Sequence, residues 1–177
     1  MMKKVAVIYS SKYGTTKKYA SWISEELDAD LLDRSTVRLE QISSYDIVVY
    51  GGGLYAGGIS GVDLVTKNPP RKLIIFTVGL ANPAGTDYSE ILKKNFDPSL
   101  LSEIKVFHLR GGIEYKKLGV VHRVMMCMMK KLVIGKKSPD EYTEEDQAFN
   151  ETYGGKVDFT DRNAIKPIVE YIRTLNV

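Results

Sequence analysis

Short apolar runs rich in β-branched residues alternate along the 177-residue chain with segments whose apolar positions recur at helical spacing. That alternation restricts the fold more than any other feature of the sequence. The runs at 3–9, Ala29–Asp33, Asp46–Tyr50, Lys72–Val78 and Lys105–Leu109 predict strands, the third of them ending in Gly51-Gly52-Gly53. Helices are predicted over about 15–28, Ser60–Lys67, Asp87–Phe96 and Asp161–Leu175. The last has Ile165, Ile168, Val169, Ile172 and Leu175 on one face, with Pro167 in a late first turn or at a kink. Apolar strands alternating with helices imply a parallel sheet covered on both faces. The expected fold is therefore α/β: one domain over 1–177, a doubly wound five-stranded parallel sheet, and an inserted helical segment at about 113–160 before the last helix. In such sheets ligands bind beyond the carboxyl ends of the strands, where strand order reverses.

The loop at that edge after the first strand is Ser10-Ser11-Lys12-Tyr13-Gly14-Thr15-Thr16. It leads straight into the first helix. Amides at a helix N-terminus and the helix dipole favour an anion there. Ser10, Ser11, Thr15 and Thr16 add hydroxyls, and Gly14 lets backbone approach a ligand. Ser and Thr also cap ordinary helices, but five hydroxyl or glycine positions in seven residues exceed what capping needs. A single phosphate monoester is the expected ligand.

Two further loops share the edge, GGGLYAGGISG after the third strand and GLANPAGTDY after the fourth. Gly51–Ala56 formally matches the dinucleotide fingerprint G-x-G-x-x-G/A, but it follows an internal strand and opens no long helix, so a nicotinamide site is rejected. There is no P-loop and no G-x-S-x-G elbow. His108 in the fifth strand and His122 on a helix form no metal-spaced cluster, and each is expected to be structural; no metal site is expected. Cys127, among methionines, is expected to be a small core hydrophobe. No side chain stands out as a general acid or base, so the catalytic residues stay unassigned.

A net charge of +3 decides little by itself, but its distribution is uneven. Lysine and arginine cluster in 105–137, whereas 138–151 carries Asp140, Glu141, Glu144, Glu145, Asp146 and Glu151. Nothing in the pattern suggests nucleic-acid binding. A lone cysteine excludes an internal disulfide and fits a reducing compartment. No apolar stretch approaches the ~20 residues that span a bilayer, and Met1–Lys4 leads directly into a strand rather than a secretory signal. A cytoplasmic protein is expected, with peripheral contact at the inner membrane face as an open alternative.

A hydroxyl-rich loop after the first strand, with glycine-bearing loops after the third and fourth, resembles the flavodoxin-like FMN-binding family over nearly the whole chain. The resemblance implies FMN as cofactor. Ser11–Thr16, with Ser10, would hold its phosphate. Gly52, Gly53, Leu54, Tyr55, Ala56 and Gly57, with Gly58, would flank one face of the isoalloxazine. Gly79, Leu80, Ala81 and Asn82, within Val78–Tyr88, would flank the other face and edge. Tyr55 is the expected stacking aromatic and Tyr88 a second candidate; Gly57 and Gly58 are expected to allow a redox-dependent backbone shift. Unlike acidic electron shuttles, this chain is basic, and no basic residue stands near Tyr55 in the sequence. Its insertion is similar to that of flavodoxin-type menaquinone-dependent protoporphyrinogen oxidases, at Gly111-Gly112-Ile113-Glu114-Tyr115, Arg123–Lys131 and Thr160-Asp161. This implies quinone and porphyrinogen as substrates. An electron carrier docking on protein redox partners is the alternative, and a flavin-binding module without turnover a third.

The inserted segment is also legible directly. On a helical wheel Lys116, Arg123 and Lys130 form one stripe, with Leu118, Val121, Met125, Met128, Met129 and Leu132 opposite. Val120, Met126, Cys127 and Ile134 widen the apolar zone. A basic amphipathic helix over 116–134 suits an anionic membrane surface or an apolar ligand. It equally suits simple packing on the sheet.

Overall fold

Four successive buried residues, Ala6 to Tyr9, make Val5–Ser10 (β1) a central strand, since such a run is stable only where both faces are covered. A computed structural model of the chain describes residues 3–143, 146–147, 149–150 and 153–176. Glu144, Glu145 and Glu151 of the acidic stretch lie outside these. β1 pairs in parallel with Asp30–Asp33 (β2) on one side and with Ile47–Tyr55 (β3) on the other. Gly58–Ile59 (β4) folds back antiparallel on β3. Leu73–Gly79 (β5) and Lys105–Arg110 (β6) complete a parallel path in the order β2-β1-β3-β5-β6. Strand order reverses between β1 and β3, which places the ligand edge at their carboxyl ends.

Alternation along each strand divides the core in two. Val7, Tyr9, Val49, Ile74 and Phe76 face Thr15–Leu27 (α1) and the C-terminal helix Lys166–Thr174 (α7), which contributes Ile168, Val169 and Ile172. Ala6, Ile8, Val48, Tyr50 and Ile75 face the short helices Leu39–Ile42 (α2), Asp63–Thr66 (α3), Ser89–Asn95 (α4) and Pro98–Glu103 (α5). Pro167 sits in the first turn of α7, where its missing amide costs nothing, after a tight turn over Arg162–Ile165.

Several expectations are corrected. The glycines after Tyr50 do not end the third strand; they lie within β3, which runs on to Tyr55. A Cβ on Gly51 would stand 2.0 Å from Phe76 Cζ, so the bare backbone admits the ring of the neighbouring strand. The inserted segment is not one straight helix. It leaves through Gly112–Glu114 (β7) and returns through Lys156–Asp158 (β8), which pair antiparallel as a small ribbon. Between them lie a tight turn at Tyr115–Lys117, the helix Val120–Met129 (α6) and a wider π turn over Lys130–Ile134.

The wheel therefore holds only in part. Leu118 precedes α6 and is buried, and Met126 packs with Tyr115 and Leu118. Val121 and Met128, on the apolar face of the wheel, are exposed. Cys127, expected in the core, is exposed as well. No helix among the described residues is long and apolar enough to cross a membrane.

Candidate functional site

β1 delivers the hydroxyl-rich loop to the start of α1. Gly14 is the residue before the helix and takes φ +95°, a left-handed conformation that side chains rarely adopt. A Cβ there would meet nothing within 4 Å, so conformation rather than space demands glycine. No side chain caps α1; Ser11 Oγ accepts from the Gly14 amide at 3.1 Å instead. The first-turn amides are left to a ligand or solvent at the positive end of the helix dipole. Ser10 Oγ bonds Ser60 Oγ at 2.8 Å, which ties the loop to the β3–β4 hairpin. Thr16 is buried, and the Lys12 ammonium lies 5.8 Å from the Tyr13 ring centre.

The hairpin turns on Ala56 and Gly57, with φ of 49° and 74°, between the paired residues Tyr55 and Gly58. Alanine in that region stores about 1 kcal/mol of strain. Helix α4 holds the turn in place. Asn95 Nδ2 donates to Gly57 O at 2.8 Å and to Ile91 O at 2.7 Å, and its Oδ1 accepts from Ile59 N at 3.0 Å. Lys94 Nζ donates to Ala56 O at 2.9 Å, which supplies in space the basic residue that the hairpin's own sequence lacks. Neither Lys94 nor Asn95 carries a sequence signal for this role.

These loops and the insertion enclose a cavity of about 340 Å³. Of the expected site residues, Tyr13, Thr15, Gly53, Leu54, Tyr55, Ala56, Gly57, Gly79, Leu80, Ala81 and Tyr88 line it. The insertion adds Ile113, Leu118, His122, Met125, Met126 and Met129. Among the described residues, no aspartate, glutamate, lysine or arginine lines it. Gly14 and Thr15 face an adjoining cleft of about 210 Å³ with Lys18, Lys117, Lys156, Glu114 and Asp158. Lys18 and Thr160 hold the Asp158 carboxyl near 2, the hydroxyl and amide of Thr160 doing most of it.

The remaining expected residues stand back from the cavity. Gly52 lies within β3, where a Cβ would press on Ile59 and the Ser60 carbonyl. Asn82 builds the following turn: its carbonyl accepts from Thr86 Oγ1 at 2.8 Å and from the Gly85 amide at 3.2 Å. Ser10, Ser11, Lys12 and Thr16 form the loop and its anchors, as above.

Ring contacts organise the cavity walls. Tyr88 is buried and lies parallel on His108, with centroids 3.6 Å apart. His108 Nδ1 is 2.6 Å from Thr77 Oγ1, and burial pushes its pKa down to about 4, so it is a neutral, structural residue as expected. His122 joins two of the loops around the cavity. Its ring lies parallel to that of Tyr55, at 4.6 Å and 2°, and its Nδ1 is 2.6 Å from Tyr13 Oη. Burial raises the Tyr55 phenol pKa, with Tyr13 adding to the shift, so Tyr55 remains neutral. On the wheel His122 falls between Met126 and Met129, inside the apolar zone, a position with no chemical signature in one dimension.

The family model described as a flavodoxin domain matches residues 6–140. An uncharacterized protein of Methanocaldococcus jannaschii is 29% identical over 83 residues, which cover 44% of this chain and 55% of that protein. The chain thus spans just over half the length of this curated relative. Similar solved structures include a flavodoxin from the domain Archaea, 17% identical, covering 59% of this chain and 84% of that one with a TM-score of 0.40. A flavoprotein in complex with FMN from Lactobacillus acidophilus is 19% identical, covering 61% and 92%, with a TM-score of 0.40. The Trp repressor binding protein of Bacillus subtilis is 17% identical, covering 61% and 85%, with a TM-score of 0.46.

Proposed function

The chain belongs to the flavodoxin domain family, and from that premise we propose that it is an FMN-dependent oxidoreductase acting on a flat, apolar partner. One observation carries the reading: an uncapped helix N-terminus opens beside a cavity of ligand size whose described walls are largely apolar. The residues fit FMN. The phosphate belongs at the amides of 15–17 and the hydroxyls of Ser11, Thr15 and Thr16. The ring belongs between the hairpin at Tyr55 and the loop 79–88. FMN supplies the electron transfer itself; the protein's part is to anchor the phosphate, stack the ring and exclude water.

The finer proposal is a quinone-linked, protoporphyrinogen dehydrogenase-type reaction. It is supported by the methionine-rich wall of Met125, Met126 and Met129, an adaptable apolar surface on the cavity. The opposite side of α6 exposes Val120, Val121, Val124 and Met128, with Leu132 just beyond, beside Lys130 and Lys131. We assign that side to peripheral contact with an anionic membrane surface, from which an apolar acceptor would reach the cavity. The test is anaerobic. Flavin-loaded protein mixed with protoporphyrinogen should bleach at the flavin band, and a menaquinone analogue should restore it. Bleaching only by a reductase protein, with no response to either small molecule, would reject the enzyme in favour of an electron carrier.

A further inference from the structure

We propose that His122 is a positioning residue of the flavin site, and that its contacts with Tyr13 and Tyr55 latch the inserted helix onto the phosphate loop and the flavin hairpin. The inference rests on the FMN reading and adds a residue and a control to it. Tyr13 and His122 are 109 positions apart in the chain, and Tyr55 belongs to a third element. The three rings nevertheless form one cluster: Tyr13 meets Tyr55 at 6.5 Å and 66°, and His122 at 5.4 Å and 65°. Tyr13 Oη also accepts from the Gly119 amide at 3.2 Å, at the very start of α6. A residue of the phosphate loop thus holds both the first turn and the imidazole of the helix that roofs the cavity.

The hydrogen-bond roles make the latch sensitive to protonation. With the Gly119 amide donating to Tyr13 Oη, the phenol proton is free to be donated to His122 Nδ1. The neutral imidazole then carries its proton on Nε2. A protonated ring donates from both nitrogens, so the phenol must turn its own proton away. Among the described residues, the groups facing the imidazole are Lys12, over Tyr13, and the phenols of Tyr13 and Tyr55; Arg123 is turned aside, its Nη2 donating to Leu118 O at 3.3 Å. Burial, then Lys12, holds His122 below the usual 6.5 of an imidazole. The sign follows: the latch is fully held above pH 6.5 and weakens as pH falls from there through the lowered value.

An opened latch exposes the stacked ring and speeds its release. Riboflavin is the informative ligand, because the FMN phosphate has its own pKa near 6. Stopped-flow release of riboflavin and of FMN, between pH 8 and pH 5, should show riboflavin leaving wild-type protein about tenfold faster at the acid end, the factor one ordinary hydrogen bond carries. His122→Gln keeps the bonding without titrating in this range, so its riboflavin profile should be flat and slow. His122→Ala should be flat and fast, with circular dichroism confirming the fold. Riboflavin release that is equally slow at every pH in wild type, or unchanged in His122→Ala, overturns the latch while leaving the FMN reading intact. Failure of FMN and riboflavin alike to bind at any pH overturns both.

Discussion

At the scale of single residues, Gly14 and Tyr55 do different work, and their variants separate the two ends of the ligand. Gly14 is constrained by a φ of +95° and by nothing else within 4 Å. Gly14→Val therefore adds no clash but strains the loop by about 1–2 kcal/mol and misaims its amides. Titration of that variant should show FMN weakened roughly tenfold or more, with riboflavin nearly unaffected. Tyr55→Ala should weaken both flavins alike. It removes stacking area worth about 1–2 kcal/mol for either flavin and shifts the flavin potential. Equal affinities and an unchanged potential in spectroelectrochemistry would assign Tyr55 to the wall without a role at the ring. The loop 10–16 and Tyr55 were legible in the sequence because small hydroxyl residues and glycines cluster there at low cost to nothing but function. His122 was not, since a lone imidazole acquires meaning only from Tyr13 and Tyr55, which are brought to it by tertiary contacts.

At the scale of elements, the hairpin between β3 and β4 depends on α4. Asn95 satisfies three backbone groups with one side chain, and a buried group left unpaired costs about 1–3 kcal/mol. Asn95→Ala should lower the thermal midpoint and shift the flavin potential, because Gly57 O is then free to turn. Asn95→Asp keeps the acceptor for Ile59 N and loses both donated bonds, so it should fall between the two. A potential identical to wild type in Asn95→Ala, despite lost stability, would separate the hairpin's conformation from the redox centre. The strands were readable from their β-branched runs, as the β5 and β6 assignments show. The ribbon of β7 and β8 was not, because segments of three residues have no periodicity. The extension of β3 through its glycines was hidden for a different reason. Glycine usually ends a strand, and only the Phe76 ring on the next strand explains why these do not.

At the scale of the whole molecule, the sheet is the scaffold and the insertion closes over its ligand edge. The parallel order β2-β1-β3-β5-β6 was implied by the alternation of strands and helices, and it fixes where the ligand edge lies. How the insertion folds back over that edge was beyond a wheel diagram. A wheel assumes one straight helix and cannot show that one side roofs a cavity while the other stays exposed. If α6 contacts an anionic membrane, each nearby basic residue contributes about 1 kcal/mol. Replacing Lys116, Arg123 and Lys130 with Glu should then abolish sedimentation with phosphatidylserine-containing vesicles while FMN stays bound. Replacing Met125 and Met129 with Ser should slow quinone reduction more than flavin reduction.

The central claim is that the loop of residues 10–16 and the cavity beside it hold a flavin through its phosphate. Fluorescence-quenching titration of the wild-type protein with FMN and with riboflavin tests it most directly. Charge-assisted bonds from the α1 amides are worth ~1.5–3 kcal/mol each before desolvation, so FMN should bind at least about a hundredfold more tightly. Equal dissociation constants for the two flavins, or no quenching by either, would contradict the account.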